Sequence, residues 1–231
     1  MLDRFSTILL DMNDTFMFGA DRFGEEQDYS IIYRQLGGTL ESSRVNSLVR
    51  AAYEYLDIRY PDPEYRESFP SLQEAFIVAA GCESLRQKDL DLLIETFARY
   101  ELGYVPAEYS DAIAQLSKRF RLGLVVDIWA PKTLWVESLK QCGVLPLCEA
   151  VSFSSDCKIV KPSPRPFLSV LEQMQASLQE AVVIGDSVRR DLGGATAAGI
   201  ACILVGGATH SSAFGCVSNL VELTGCSSRD S

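Results

Sequence analysis

Two rhythms of apolar residues divide this chain. Thr7-Ile8-Leu9-Leu10 is an uninterrupted run that ends abruptly in carboxylates at Asp11 and Asp14. Such a run is too short for a helix and suits a strand buried on both faces of a parallel sheet. Leu122-Gly123-Leu124-Val125-Val126 ends the same way at Asp127, and Ala181-Val182-Val183-Ile184 ends at Gly185-Asp186. Ala150-Val151-Ser152-Phe153 and the stretch from Ile200 to Val205 complete the predicted strands.

The second rhythm is helical. Val45, Leu48, Val49, Ala52, Tyr53 and Leu56 recur at spacings of three and four, one stripe of an amphipathic helix that Pro61 and Pro63 end. Leu72, Ala75, Phe76 and Ala79 form a second stripe closed by Gly81, and Leu90, Leu93, Ile94, Phe97 and Tyr100 a third closed by Gly103. From Pro106 onward helices alternate singly with strands: one is marked by Ala112, Ile113, Leu116 and Phe120, and another runs from Pro131 to Gly143. A third follows Pro164, a fourth passes through Ala195 to Ala198 before Gly199, and a last one is predicted over 217–223. Residues 227–231 read as a mobile tail.

Strands joined by single helices favour parallel pairing with right-handed crossovers. The pattern therefore predicts an α/β fold, a doubly wound parallel sheet with a Rossmann-like core. Residues 1–15 and 105–231 form that core, and residues 16–104 are expected as a separate helical domain inserted into it, with glycine-bearing joints near Gly19 and Gly103.

With 231 residues, 47% hydrophobic and 23% charged, the chain has the composition of a globular protein able to bury a core. No apolar run approaches the roughly 20 residues that span a bilayer, and the N-terminus shows no basic region followed by an apolar one. Seven scattered cysteines without a Cys-x-x-Cys pair read as free thiols in a reducing compartment, so the expected location is cytoplasmic. The single His210 leaves acid-base work to carboxylates. A net charge of −10 argues against nucleic acid or an anionic membrane as partner, and it obliges an anionic substrate to find a local cation.

In open α/β sheets the carboxyl ends of the strands share one edge, where ligands bind. That edge would collect Asp11, Asn13 and Asp14, then Asp127, then Lys158 and Lys161, then Asp186 and Asp191. Taken singly, Asp11 also fits an Asx turn, Lys161 a solvated lysine, and Asp186 with Asp191 a helix start bearing a first-turn acid. Crowded carboxylates need a cation, and hard oxygen ligands suit Mg²⁺.

The sequence Asp11-Met12-Asn13-Asp14-Thr15 resembles the first motif of the haloacid dehalogenase superfamily, Asp-x-Asp-x-Thr after a strand. Lys161-Pro162 is similar to its third motif, and Gly185-Asp186-Ser187-Val188-Arg189-Arg190-Asp191 with the Gly194 to Gly199 region is similar to its fourth. The helical insert looks like that family's C1 cap. The resemblance implies a Mg²⁺-dependent phosphatase of a small phosphorylated metabolite, with Asp11 as nucleophile and Lys161 holding both Asp11 and the phosphate. It implies a metal site of Asp11, Asp186 and the carbonyl of Asn13, supported by Asp191, with Asp127 beside Lys161 among the substrate-binding residues.

Two departures from that pattern matter. The family's usual acid/base aspartate is Asn13 here, and the motif-two hydroxyl position is Val126. A carboxamide protonates no leaving group, a loss of about 10² to 10⁴ in rate, while backbone N–H groups remain for phosphate at motif two. Asp14 is a possible stand-in for the acid. Two alternatives stay open: a dehalogenase-like hydrolase acting at carbon, and a catalytically weakened binding or regulatory protein. Arg22, Arg34, Arg59 and Tyr60 of the insert are further substrate contacts to test, against a reading as exposed surface groups.

Overall fold

The computed structural model describes residues 1–82 and 84–225. In chain order its elements begin with β1 (Thr7–Leu10), α1 (Ser30–Gln35), α2 (Ser42–Arg59), α3 (Leu72–Ala80), α4 (Gln87–Glu101), α5 (Ala107–Leu116) and β2 (Arg121–Val126). They continue with α6 (Thr133–Gln141), β3 (Cys148–Phe153), α7 (Ser154–Cys157), α8 (Arg165–Met174), β4 (Ala181–Gly185), α9 (Gly193–Ala198), β5 (Ala201–Leu204) and β6 (Gly215–Cys216).

The strands form one sheet in the order β3-β2-β1-β4-β5-β6, and every neighbouring pair is parallel. β1 lies at its centre and is wholly buried, which is why its sequence is apolar without alternation. Its residues divide between two cores. Ile8 and Leu10 face one with Leu122, Leu124, Val182 and Ile184, while Leu9 faces the other with Val125, Val183 and Leu204. Helices α8 and α9 cover the second face through Phe167, Val170, Met174 and Ala195. Helices α5 and α6 and the helices between β1 and β2 pack with the first. The sheet is thus covered on both sides, as a doubly wound fold requires.

Helices α2, α3 and α4 form where their apolar stripes predict. Val45, Leu48, Val49, Ala52 and Leu56 are the buried face of α2. A capping box opens α3, where Ser71 Oγ accepts the Glu74 N–H at 3.2 Å and Glu74 Oε2 accepts the Ser71 N–H at 2.6 Å. Phe18 and Tyr104 exchange two backbone hydrogen bonds of 2.8 Å, so the chain enters and leaves the insert through one narrow neck. Gly103 allows that approach, because a Cβ there would lie 2.6 Å from the Phe18 carbonyl oxygen. Arg22 closes the neck by donating to the carbonyls of Gly19 at 2.7 Å, Leu102 at 2.9 Å and Arg99 at 2.5 Å, the last two at the C-terminal end of α4.

Four elements depart from the pattern, one of them the four-residue helix α7, which no stripe foretells. Helix α1 and strand β6 carry too few residues for a readable period. The helix expected over 217–223 is a tight turn over Leu220–Thr224, opened by Asn219, whose side chain accepts the Glu222 N–H. The tail at 227–231 lies outside the described residues.

Candidate active site

The carboxyl edge of the sheet gathers the expected acids around one buried lysine. Asp11 follows β1, Asp186 follows β4, and Lys161 reaches in from the loop between α7 and α8. Lys161 Nζ donates to Asp11 Oδ1 at 2.5 Å and to Asp191 Oδ1 at 2.8 Å, and the three side chains are 2%, 8% and 0% exposed. Burial works against the lysine's charge, but Asp11 and Asp191 outweigh it and hold the ammonium well above its ordinary range. Asp191 is pushed up, first by burial and then by Asp11, with Lys161 opposing.

The local sequence fixes each of these groups. Thr15 donates to Asp11 Oδ2 at 2.9 Å, so both oxygens of Asp11 have a partner. Asp191 Oδ2 accepts the Ser187 N–H at 3.0 Å, which ties the loop after β4 to the start of α9. Gly185 is required there, because a Cβ would lie 2.4 Å from the Asp191 carboxyl carbon.

Asp186 is the less satisfied acid. Its Oδ1 is buried without a hydrogen-bond partner, and its nearest cation is Arg190 at 3.7 Å. Burial and then Asp11 raise its pKa. Oxygens of Asp11, Asp186 and Asp191 lie within 4.8 Å of one another. The Asn13 Oδ1 is also buried and unpartnered, and among the described residues no backbone N–H donates to the Asn13 carbonyl. An all-oxygen donor set with orphaned buried oxygens fits a hard divalent cation. Asp14, the possible stand-in acid, is exposed on a left-handed backbone with φ of 56°.

At motif two, Asp127 Oδ2 accepts the Lys161 N–H at 2.9 Å and the Tyr60 hydroxyl at 2.7 Å. Burial raises Asp127, against Lys161 and Tyr60. Tyr60 carries the contact across from the insert, as the sequence allowed, whereas Arg59 is used locally, stacking on Tyr55 at 3.6 Å. Arg22 serves the neck, and Arg34 is exposed. The backbone N–H groups expected to serve phosphate are largely taken. Ser154 Oγ accepts from Ile128 at 2.9 Å, and Glu101 accepts from Trp129 at 2.5 Å and from Ala130 at 2.9 Å. Burial lifts Glu101 to about 8, against the Trp129 N–H.

Lys158 is exposed, left-handed at φ 56°, and paired with Glu74 at 3.4 Å. It stays outside the cluster. The sequence pattern does not mark Thr15, Glu101 or Arg190 as site groups, yet all three stand in the site. The one available signal is the place of Thr15 four residues beyond Asp11, while the other two are placed by contacts between distant segments.

The fold and the site together define a doubly wound α/β protein with a carboxylate centre at the carboxyl edge of its parallel sheet. A family model described as haloacid dehalogenase-like hydrolase matches residues 45–205, more than half of the chain, and the chain belongs to that family. It is 28% identical over 182 residues to the pyrophosphatase PpaX of Bacillus pumilus, covering 74% of this chain and 81% of that one. A shorter match, 43% identical over 60 residues, links it to the phospholysine phosphohistidine inorganic pyrophosphate phosphatase of Xenopus laevis, across 25% of this chain and only 22% of the relative. The 2-haloacid dehalogenase structure from Pseudomonas syringae shares the fold, with a TM-score of 0.64 at 22% identity over 95% of this chain and 96% of that one.

Proposed function

We propose that this protein is a Mg²⁺-dependent phosphatase of a small phosphorylated compound, working through an aspartyl phosphate on Asp11. The observation that carries the reading is Lys161, a buried lysine whose Nζ bridges Asp11 and Asp191. A structural role alone gives little reason to bury a lysine among carboxylates, because replacing such a group by apolar residues is often neutral or stabilising.

In this reading Asp11 attacks phosphorus, and Thr15 and Lys161 hold its carboxylate in place. Lys161 offsets charge on the phosphoryl oxygens. Asp11, Asp186 and the Asn13 carbonyl would hold Mg²⁺, while Asp191 orients Lys161 and the loop after β4. The ion would supply positive charge to the phosphoryl group. Asn13 lends no proton, which restricts good substrates to leaving groups that depart unprotonated.

Residues 16–104 act as a cap in this account, swinging about the neck at Phe18 and Tyr104, with Tyr60 closing on Asp127. The names of two relatives, both phosphatases acting on pyrophosphate, support the reaction class. The unpartnered oxygen of Asp186 beside Asp11 favours this reading over metal-free attack at carbon. The described cysteines are all free, which suits a reducing cytoplasm, and no described helix is long and apolar enough to cross a membrane.

Turnover of aryl and acyl phosphates with and without Mg²⁺ tests the proposal. Release of phosphate should require Mg²⁺ and vanish in Asp11→Asn. If no phosphate is released with Mg²⁺ present, the reading gives way to a ligand-binding protein on the same fold.

A further inference from the structure

A phosphate group arriving at this site meets few uncommitted donors. Lys161 is divided between Asp11 and Asp191, Val126 brings no hydroxyl, and the N–H groups of residues 128–130 are taken by Ser154 and Glu101. Among the described residues, Arg189 also comes within 5.8 Å of the Tyr60 ring but donates to the Pro61 carbonyl at 3.4 Å, whereas Arg190 stays loosely engaged. The Arg190 side chain is 30% exposed, and its contact with Asp186, at 3.7 Å, is longer than a hydrogen bond. Its guanidinium lies 5.8 Å from the centre of the Tyr60 ring. The backbone beneath it is fixed, because Ser187 Oγ accepts the Arg190 N–H at 3.2 Å and Asp191 is held by Lys161 and Ser187. A rigidly mounted but loosely engaged guanidinium thus spans the gap between the acid cluster and the insert.

Resting on the phosphatase reading, we propose that Arg190 is a specificity-determining residue that holds the anionic leaving group of a phosphoanhydride, a diphosphate or an acyl phosphate. Two independent features converge on this class. Asn13 has no proton to give, so the leaving group departs as an anion. An anion departing beside the acids of this site needs a cation, and the planar fork of Arg190, next to Asp186, matches phosphate or carboxylate.

The chemistry balances without an added acid. A bond forms between an Asp11 oxygen and phosphorus as the anhydride P–O bond breaks, and the leaving phosphate or carboxylate keeps the electron pair. Water then adds to phosphorus, the bond from Asp11 to phosphorus breaks, and inorganic phosphate and one proton pass to solvent.

Calorimetry at constant free Mg²⁺ tests the assignment with methylphosphonate, methylenediphosphonate and phosphonoacetate, none of which is hydrolysed. In the parent protein a second anion should tighten binding about tenfold or more over methylphosphonate, as expected for one charge-assisted contact. Arg190→Gln should lose more affinity for the two doubly anionic ligands than for methylphosphonate. Arg190→Lys, which keeps the charge but not the fork, should show a reduced preference and carries the test if the glutamine variant misfolds. A stronger preference for methylenediphosphonate identifies a phosphate leaving group, and one for phosphonoacetate a carboxylate. Equal losses for all three ligands, or no preference in the parent, would overturn the assignment. The preference without turnover of any phosphate compound would contradict the phosphatase reading and leave the role of Arg190 standing, and turnover without the preference would do the reverse.

Discussion

Lys161→Met removes one cation from two buried carboxylates while keeping most of the side-chain volume. Losing one partner of a buried ion pair costs about 3–5 kcal/mol, and Lys161 serves both Asp11 and Asp191, so the upper half of that range applies near neutral pH. For a chain of this size each kcal/mol moves Tm by about 2–4 °C, giving a fall of about 8–20 °C. The loss has a defined pH dependence. In the parent the pKa of Lys161 is raised, so its contribution is fully present throughout the neutral range and disappears only under strongly alkaline conditions. In the variant, Asp191, already raised by burial and then by Asp11, loses the opposing Lys161, so its protonation relieves the strain and stability rises as pH falls. The deficit should therefore be largest at about pH 8 and shrink toward about pH 5, as followed by urea denaturation of both proteins. A variant within about 1 kcal/mol of the parent at pH 8, or a deficit independent of pH, would refute the assignment of Lys161 as the charged hub.

Other outcomes follow from the same geometry. Asp186→Ala should abolish Mg²⁺ binding in calorimetry, and unchanged binding would show the metal ligands to be misassigned. Asn13→Asp should raise turnover of alkyl phosphates by about 10²-fold and change acyl phosphates much less, since only the former need a protonated leaving group. Glu101, with a pKa near 8 against an ordinary 4.5, keeps a proton in the fold that the unfolded chain has released, so its contribution falls as pH rises through that interval. Glu101→Gln should cost about 1–3 kcal/mol through one lost acceptor, and the gap to the parent should narrow from about pH 5 to pH 8. Parallel stability curves would contradict that account.

Much of the scaffold was legible because burial on both faces writes an unbroken apolar run. β1 is Thr7–Leu10 as expected, and Asp11, Lys161, Asp186 and Asp191 converge because parallel strands share an edge. The insert was visible as stripes whose glycine and proline punctuation survives in the fold. The contacts that tune the site were not legible. Tyr60 reaches Asp127 across 67 residues and Glu101 reaches Trp129 across 28, and neither separation leaves a periodic trace. The motif-two amides were expected to await phosphate, but Glu101 is a carboxylate at the end of an apolar stripe, and nothing local says that it turns inward. Arg190 lies in the spacer of the fourth motif, and only the packing of the insert against the core places Tyr60 beside it.

In the proposed reaction Asp11 is a nucleophile that becomes phosphorylated. Without an acid/base at Asn13, water attack on the adduct should be slow, so the adduct should accumulate when an acyl phosphate is supplied with Mg²⁺. Intact-mass measurement after rapid quenching should show one added phosphoryl group, located by peptide mapping to Asp11 and absent from Asp11→Asn. Phosphate release with no adduct at any quench time, or an adduct that persists in Asp11→Asn, would contradict the account.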